Sequence, residues 1–306
     1  MNEYRVTTKL MGCAFELIVA SSDSNEADHL LKVGIQEIKR IEEILSEFKE
    51  NSIVSYINQN AGVKPVRVNT EVFSLLLRCQ KIAALTQGAF DISVGPLKKK
   101  YNFKNQQFTL PPQDEINDTL KLVGFSKIIL DIETKEVFLP SAGMHISFAA
   151  IGKGYAADCV KKIWIDLGVR SGVISASGDL TTIGTRPNGS PWDVGIANPD
   201  QKNDVAFHIP VVDASVATSG DYEQFFMYKN VRYSHNINPI TGLPVKGIKS
   251  VSIISQSAEL SDALATAVYV MGINVGMHLV NQLPHVHGIV IDDKNQSFYS
   301  NKINLA

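Results

Sequence analysis

Apolar positions along the chain follow two periods. Residues 5–9 and 13–20 alternate or run apolar as strands do, and Met11-Gly12 joins them. From Ser24, read as a cap, Ala27, Leu30, Leu31, Ile38, Ile41, Ile44, Leu45 and Phe48 recur three or four apart. This spacing predicts a helix to about Phe48 with one buried stripe. Residues 46–58 read as polar and irregular, and residues 60–62 as a turn. Thr70 reads as the cap of a second helix carrying Val72, Leu75, Leu76, Cys79 and Ala83, which Gly88 ends.

Further along, residues 88–97 (GAFDISVGPL) hold a lone acid, Asp91, in an apolar setting. Lys98, Lys99 and Lys100 read as a solvated loop. Residues 114–123 suit a short helix, and residues 126–131 with 135–139 suit a hairpin around Glu133-Thr134. Residues 146–158 (ISFAAIGKGYAAD) crowd six alanines and glycines around Lys153, and a helix is expected from Tyr155 to Leu167, stopping at Gly168. Strands follow at 172–176, around Ile183-Gly184, at 192–197, 207–212 and 250–255. Ser261 reads as the cap of a helix over 262–271 closed by Gly272, and 289–291 with 297–299 as a terminal hairpin. Strands and helices mix without regular βαβ alternation, which favours an α+β fold. No repeat, low-complexity tract or linker divides residues 1–306.

Composition narrows the classes. The chain is 44% hydrophobic and 20% charged with a net charge of −2 and no basic block, which argues against a nucleic-acid surface or an anionic membrane partner. Cys13, Cys79 and Cys159 lie far apart, forming neither a disulfide framework nor a zinc motif, and a cytoplasmic location is expected. Leu10-Met11-Gly12-Cys13 imitates the end of a lipoprotein signal, but polar residues fill the stretch before Cys13, so no signal peptide or membrane anchor is expected.

Three places could carry chemistry. A small-residue turn opening a helix, with Lys153 in the turn, suits a phosphate, though it equally suits tight helix packing. The apolar segment 262–271 holds one acid, Asp262, with Thr266 one turn on. A carboxylate and a hydroxyl on one face suit a magnesium ion, or else serve the helix itself. His235 sits in a turn-rich loop (HNINPITG) and could act as a base near neutral pH. Asp91, Asp179 and Asp221 follow or lie near glycines and read as turn formers. His285 and His287 would share one strand face without a third ligand.

In order along the chain, these segments resemble one family. Met11-Gly12, Ser46-Glu47-Phe48 with Asn51-Ser52 and Asn58, GAFDISVGPL, AAIGKGYAAD, ASGD, WDVGIANP, ATSGDYE, HNINPITGLPV and SDALATAVYVMG match the FAD:protein FMN transferases, the ApbE family, along nearly the whole length. The resemblance implies one catalytic unit of antiparallel or mixed sheets packed with helices, T-fold-like. It implies an enzyme that splits FAD with Mg2+ and passes FMN to a threonine of an acceptor flavoprotein. An FAD pyrophosphatase releasing FMN and AMP, or a flavin-binding protein without catalysis, stays open.

Carried over by position, Asp262, Thr266 and the carbonyls of Ala150 and Ala265 would hold Mg2+. Met11, Phe48, Ala89, Phe90, Asp91, Ser147, Lys153 and Asn236 would line the FAD site. His235 would be the base, with Thr241 in the same catalytic loop. Three positions depart from the family's pattern: Ser147 replaces an aspartate, Phe48 a tyrosine, and Ser177 the first of two glycines.

Overall fold

The structure, a computed structural model, describes residues 1–101, 110–201, 204–220, 225–228, 231–301 and 303. Its centre is an eight-stranded sheet. From edge to edge run Asn2–Leu10, Cys13–Ser21, Gly172–Ala176, Asp179–Ile183, Ser215–Gly220, Ile248–Ser255, His287–Asp292 and Ser297–Tyr299. Every neighbouring pair is antiparallel. Helices Ser24–Leu45, Gly152–Asp166 and Ala258–Met271 pack with this sheet, and the α+β expectation holds.

Two hairpins turn side by side at one end of the sheet. Leu10 pairs with Cys13 across Met11 (φ 50) and Gly12 (φ 78), and Ala176 pairs with Asp179 across Ser177 (φ 50) and Gly178 (φ 102). Two successive residues with positive φ make the tight turn whose twist matches paired strands. Because Phe15 pairs with Ala176, the turns touch: Ser177 N–H donates to the Ala14 carbonyl at 3.0 Å, and Ser177 Oγ accepts from Ala14 N–H at 3.1 Å.

Helix Gly152–Asp166 latches the N-terminus of helix Ala258–Met271. The Asp158 carboxylate accepts the N–H groups of Ala258 and Glu259, both at 3.0 Å, and the Ser257 hydroxyl at 2.7 Å. It thus satisfies the orphan donors of the second helix. One turn earlier, a Cβ on Gly154 would lie 2.2 Å from the Ala258 carbonyl oxygen and 2.9 Å from Asp262 Cβ. Only glycine permits this approach.

Several element boundaries differ from the sequence reading. The first helix starts from an Asp23 cap rather than Ser24, because the Asp23 carboxylate accepts the Asn25 N–H. It also stops at Leu45, leaving Phe48 89% exposed instead of in the buried stripe. Residues 46–58 are not wholly irregular: Ser52 caps a helix at Ile53–Gln59. Asn69, not Thr70, caps Thr70–Leu85. Lys98, Lys99 and Lys100 end a short helix, Gly95–Lys100, with Lys98 half-buried rather than solvated.

The lysine-turn helix begins at Gly152, not Tyr155. Ser257 caps the helix expected from Ser261, which adds a turn and takes Asp262 out of the N-terminal position. A further helix, Ile273–Gln282, follows Gly272, whose φ of 83 breaks the chain direction between the two. His285 (φ 57) lies before the strand that His287 opens, so the pair shares no strand face. Asp221 lies outside the described residues.

Candidate active site

A cleft of about 500 Å³ opens where the paired hairpin turns meet the N-terminus of helix Gly152–Asp166. Met11, Gly12, Cys13 and Ser177 come from the turns, and Ala149, Ala150 and Lys153 from the run into the helix. Thr218, Ser219 and Gly220 come from the end of a central strand, and Asp262 and Thr266 from one helix face. Ala89, Phe90 and Asp91 close one side, and His235 with Asn236 another. Residues scattered from 11 to 266 therefore converge because strand ends and helix starts share one edge of the fold.

Electrostatics organise the floor. Lys153 Nζ pairs closely with Asp179 Oδ2, and Asp179 Oδ1 accepts the Thr218 N–H at 2.9 Å. Burial pulls the Lys153 ammonium down, but the carboxylates of Asp262 and Asp179 outweigh it and hold the group above its ordinary value. Asp262 is 5% exposed, and its Oδ2 accepts the Gly154 N–H at 3.1 Å. Burial, opposed by Lys153 and reinforced by Asp179, pushes the Asp262 carboxyl up to about 7. Thr266 Oγ1, one turn on, lies 3.1 Å from Ser219 Oγ. Asp179, which reads in the sequence as a turn former, is thus part of the charged floor. Its only advance signal is its place directly after a tight turn, and nothing in the sequence pairs it with Lys153.

Residues Ala150, Asp262 and Thr266 stand on the cleft wall, as a metal-binding set requires. A buried carboxylate with an elevated pKa, beside a hydroxyl, is short of positive charge, and that donor chemistry fits a hard divalent ion. Ala265, whose carbonyl the resemblance adds to this set, is not among the residues lining the cleft. It is 1% exposed and packs in the core with Val268 and Val280. A second group, Glu37, Glu71 and Cys159, also clusters among the described residues. There the Arg40 guanidinium already bridges both carboxylates at 2.7 Å.

Asp91 lines the cleft, yet its oxygens are engaged inward. Oδ1 accepts from Ser93 N–H and Oγ at 2.8 and 2.7 Å, and Oδ2 accepts the Phe125 N–H at 2.8 Å. Burial raises its pKa against these donors. His235 is fixed at the base of a closed loop. Ser234 N–H donates to the Val245 carbonyl and Val245 N–H to the Asn236 carbonyl, both at 2.9 Å, and Tyr101 Oη donates to the Gly242 carbonyl at 2.7 Å. Thr241 is exposed on that loop and off the cleft wall, with its Oγ1 accepting the Leu243 N–H at 3.3 Å.

A second cavity of about 390 Å³ shares Met11, Gly12, Ala149 and Lys153 with the cleft. Phe48, Leu45 and Phe148 make it largely apolar, and Glu47 and Ser147 line it too. Ser147 Oγ donates to Glu47 Oε1 at 2.5 Å, and His145 Nε2 lies 2.7 Å from Glu47 Oε2. The anion that the resemblance expects at position 147 is therefore present as Glu47, which sequence reasoning missed because 100 residues separate the two.

The ApbE family model matches residues 11–290. The chain belongs to the ApbE family. Its relatives include the FAD:protein FMN transferase of Klebsiella pneumoniae (strain 342), 30% identical over 291 residues that cover 94% of this chain and 89% of that protein. That of Vibrio cholerae is 28% identical over 270 residues, covering 86% and 80%. Among solved structures, the ApbE protein of Thermotoga maritima superposes with a TM-score of 0.89 at 31% identity, covering 98% of this chain and 97% of that one. The flavin transferase ApbE of Vibrio cholerae gives 0.85 at 25% identity, covering 98% and 97%. The ApbE match spans every element of the cleft.

Proposed function

We propose that this ApbE-family chain is a Mg2+-dependent FAD:protein FMN transferase that attaches FMN to a threonine of an acceptor flavoprotein and releases AMP. The observation that carries the reading is the pairing of the cleft with the second cavity, which share Met11, Gly12, Ala149 and Lys153 on their walls. Lys153 stands on their shared wall, and Asp262 with Thr266 faces the cleft. A dinucleotide has two bulky ends joined by a pyrophosphate, and the two cavities have one lysine in common. The names of the relatives support the same reaction.

In this reading the pyrophosphate lies beside Lys153, whose ammonium meets charge developing on the departing phosphate of AMP. Asp179 and the Gly152–Asp166 helix keep that ammonium in place. Ala150, Asp262 and Thr266 would hold Mg2+, which supplies further neutralisation of the pyrophosphate when bound. The threonine hydroxyl of the acceptor attacks the phosphorus on the FMN side. A phosphoester bond forms, the bond to the AMP oxygen breaks, and His235 takes the hydroxyl proton. Asn236 and the closed loop hold His235 at the mouth, and Met11, Ala89, Phe90 and Phe48 surround the organic parts of FAD.

The three cysteines form no disulfide, and we place the reaction in the cytoplasm; among the described residues no helix is long and apolar enough to cross a membrane. The decisive experiment is the intact mass of an acceptor flavin domain after incubation with the enzyme, FAD and Mg2+. Addition of one FMN unit is expected. Free FMN and AMP without addition would replace transfer by hydrolysis.

A further inference from the structure

The second cavity carries a charged group to which the transferase reading gives no role. We infer that Glu47 is the specificity-determining residue of this cavity, where its carboxylate accepts a hydrogen bond from the N–H edge of a planar heterocycle laid against Phe48. The inference rests on the reading that FAD fills the two cavities.

The walls argue for a flat apolar guest. Leu45, Phe148 and Phe48 dominate, and the Phe48 ring is 89% exposed. A phenyl ring that open beside a cavity offers a face for an aromatic ligand to stack on. Glu47 adds a single polar demand. Its side chain keeps 18% of its surface open, and its two oxygens each have one close protein partner, Ser147 and His145. Each carboxylate oxygen can accept two hydrogen bonds, so capacity remains on both. Burial pushes the carboxyl up, but the contacts with His145 and Ser147 outweigh it and hold Glu47 below its ordinary value. The group is therefore ionised at neutral pH and acceptor-only.

The other acid on the wall, Glu42, differs in its partners: its Oε1 accepts the Met11 N–H at 2.9 Å and its Oε2 lies 3.7 Å from the ammonium of Lys49, so a cation beside it already offsets its charge. A guest that buried Glu47 without offering it a donor would strand a charge, which is how a cavity rejects the wrong ring. Both ends of FAD carry such an edge, the imide N–H of the flavin and the amino group of adenine.

The test measures binding of FAD, FMN and ADP to the full chain and to E47Q, which keeps the shape but removes the charge. FAD affinity in E47Q is expected to fall by about tenfold to a hundredfold, the range for a hydrogen bond to a charged group. The loss should appear in KM more than in kcat. The same loss for FMN with ADP unchanged assigns the flavin end to this cavity, and the reverse assigns adenine.

A second variant, E47Q/S147D, returns a carboxylate to the same wall and should recover FAD binding to within about threefold of wild type. Wild-type affinity in E47Q, a loss confined to kcat, or no recovery in the double variant overturns the inference while leaving the transferase reading in place. Failure of the wild-type chain to bind FAD overturns both.

Discussion

The cleft and the second cavity share four residues yet are built on different principles. On the cleft floor the charges answer one another: Lys153 pairs with Asp179 and faces Asp262, and the backbone groups of Gly154 and Thr218 complete the set. The cavity is largely apolar, with two acids, Glu42 and Glu47, on its wall. A site made of mutually dependent charges fails as a unit, because removing one group strands its neighbours in a low-dielectric interior. A site made of surface contact loses affinity by degrees.

That contrast sets an order of effects. Asp262→Asn keeps the shape and removes the buried charge, so turnover with FAD, Mg2+ and acceptor should fall by on the order of 10³-fold. Near-normal turnover would break the metal assignment. Lys153→Met should cost about 10²-fold in turnover and should also expose Asp179 as an unpaired acid. A thermal melt checks the second effect, and an unchanged melting temperature would show the floor to be less interdependent than its geometry implies.

Acidity sharpens the same contrast. The Asp262 carboxyl is raised in the folded chain to about 7, so the metal-free fold retains a proton that the unfolded chain has already lost. Stability of the metal-free protein therefore declines as pH rises from the ordinary carboxyl range through about 7, and the loss is complete above it. Mg2+ requires the ionised form, so its apparent affinity should be about tenfold weaker at pH 6 than at pH 8, and its stabilising shift in Tm smaller. Equal shifts at both pH values would remove Asp262 from the metal-facing set.

The smallest effect belongs to the cavity. Phe48→Ala should raise KM for FAD by about three- to tenfold, the worth of one aromatic contact, with little change in kcat. Phe48→Tyr should be close to neutral. A Phe48→Ala loss as large as that of Lys153→Met would mean that the two cavities are not energetically separate.

Much of this arrangement is legible in the chain. Alternation and three-to-four spacing locate the strands and long helices, since each buries one face. Lys153, Asp262 and Thr266 stand out as polar residues in apolar or small-residue surroundings. Three of the misread helix starts share one cause. Asp23, Asn69 and Ser257 cap from one position or one turn earlier than Ser24, Thr70 and Ser261, and a serine or threonine just inside a helix looks the same in sequence as one at its cap. What stays invisible is contact between distant segments. Asp158 caps a helix 100 residues away, and Glu47 meets Ser147 across a similar gap. No local period records either.

The close crossing at Gly154 has a spectroscopic consequence. Its amide proton is donated to the acid that faces the proposed metal position, and no side chain at 154 intervenes. That single N–H is therefore a built-in indicator. Its nitrogen and proton resonances should move when Asp262 loses its proton and move again when Mg2+ arrives. Glycine amides occupy a sparse region of a nitrogen–proton spectrum, so the state of the buried acid can be followed in solution without a label at the site.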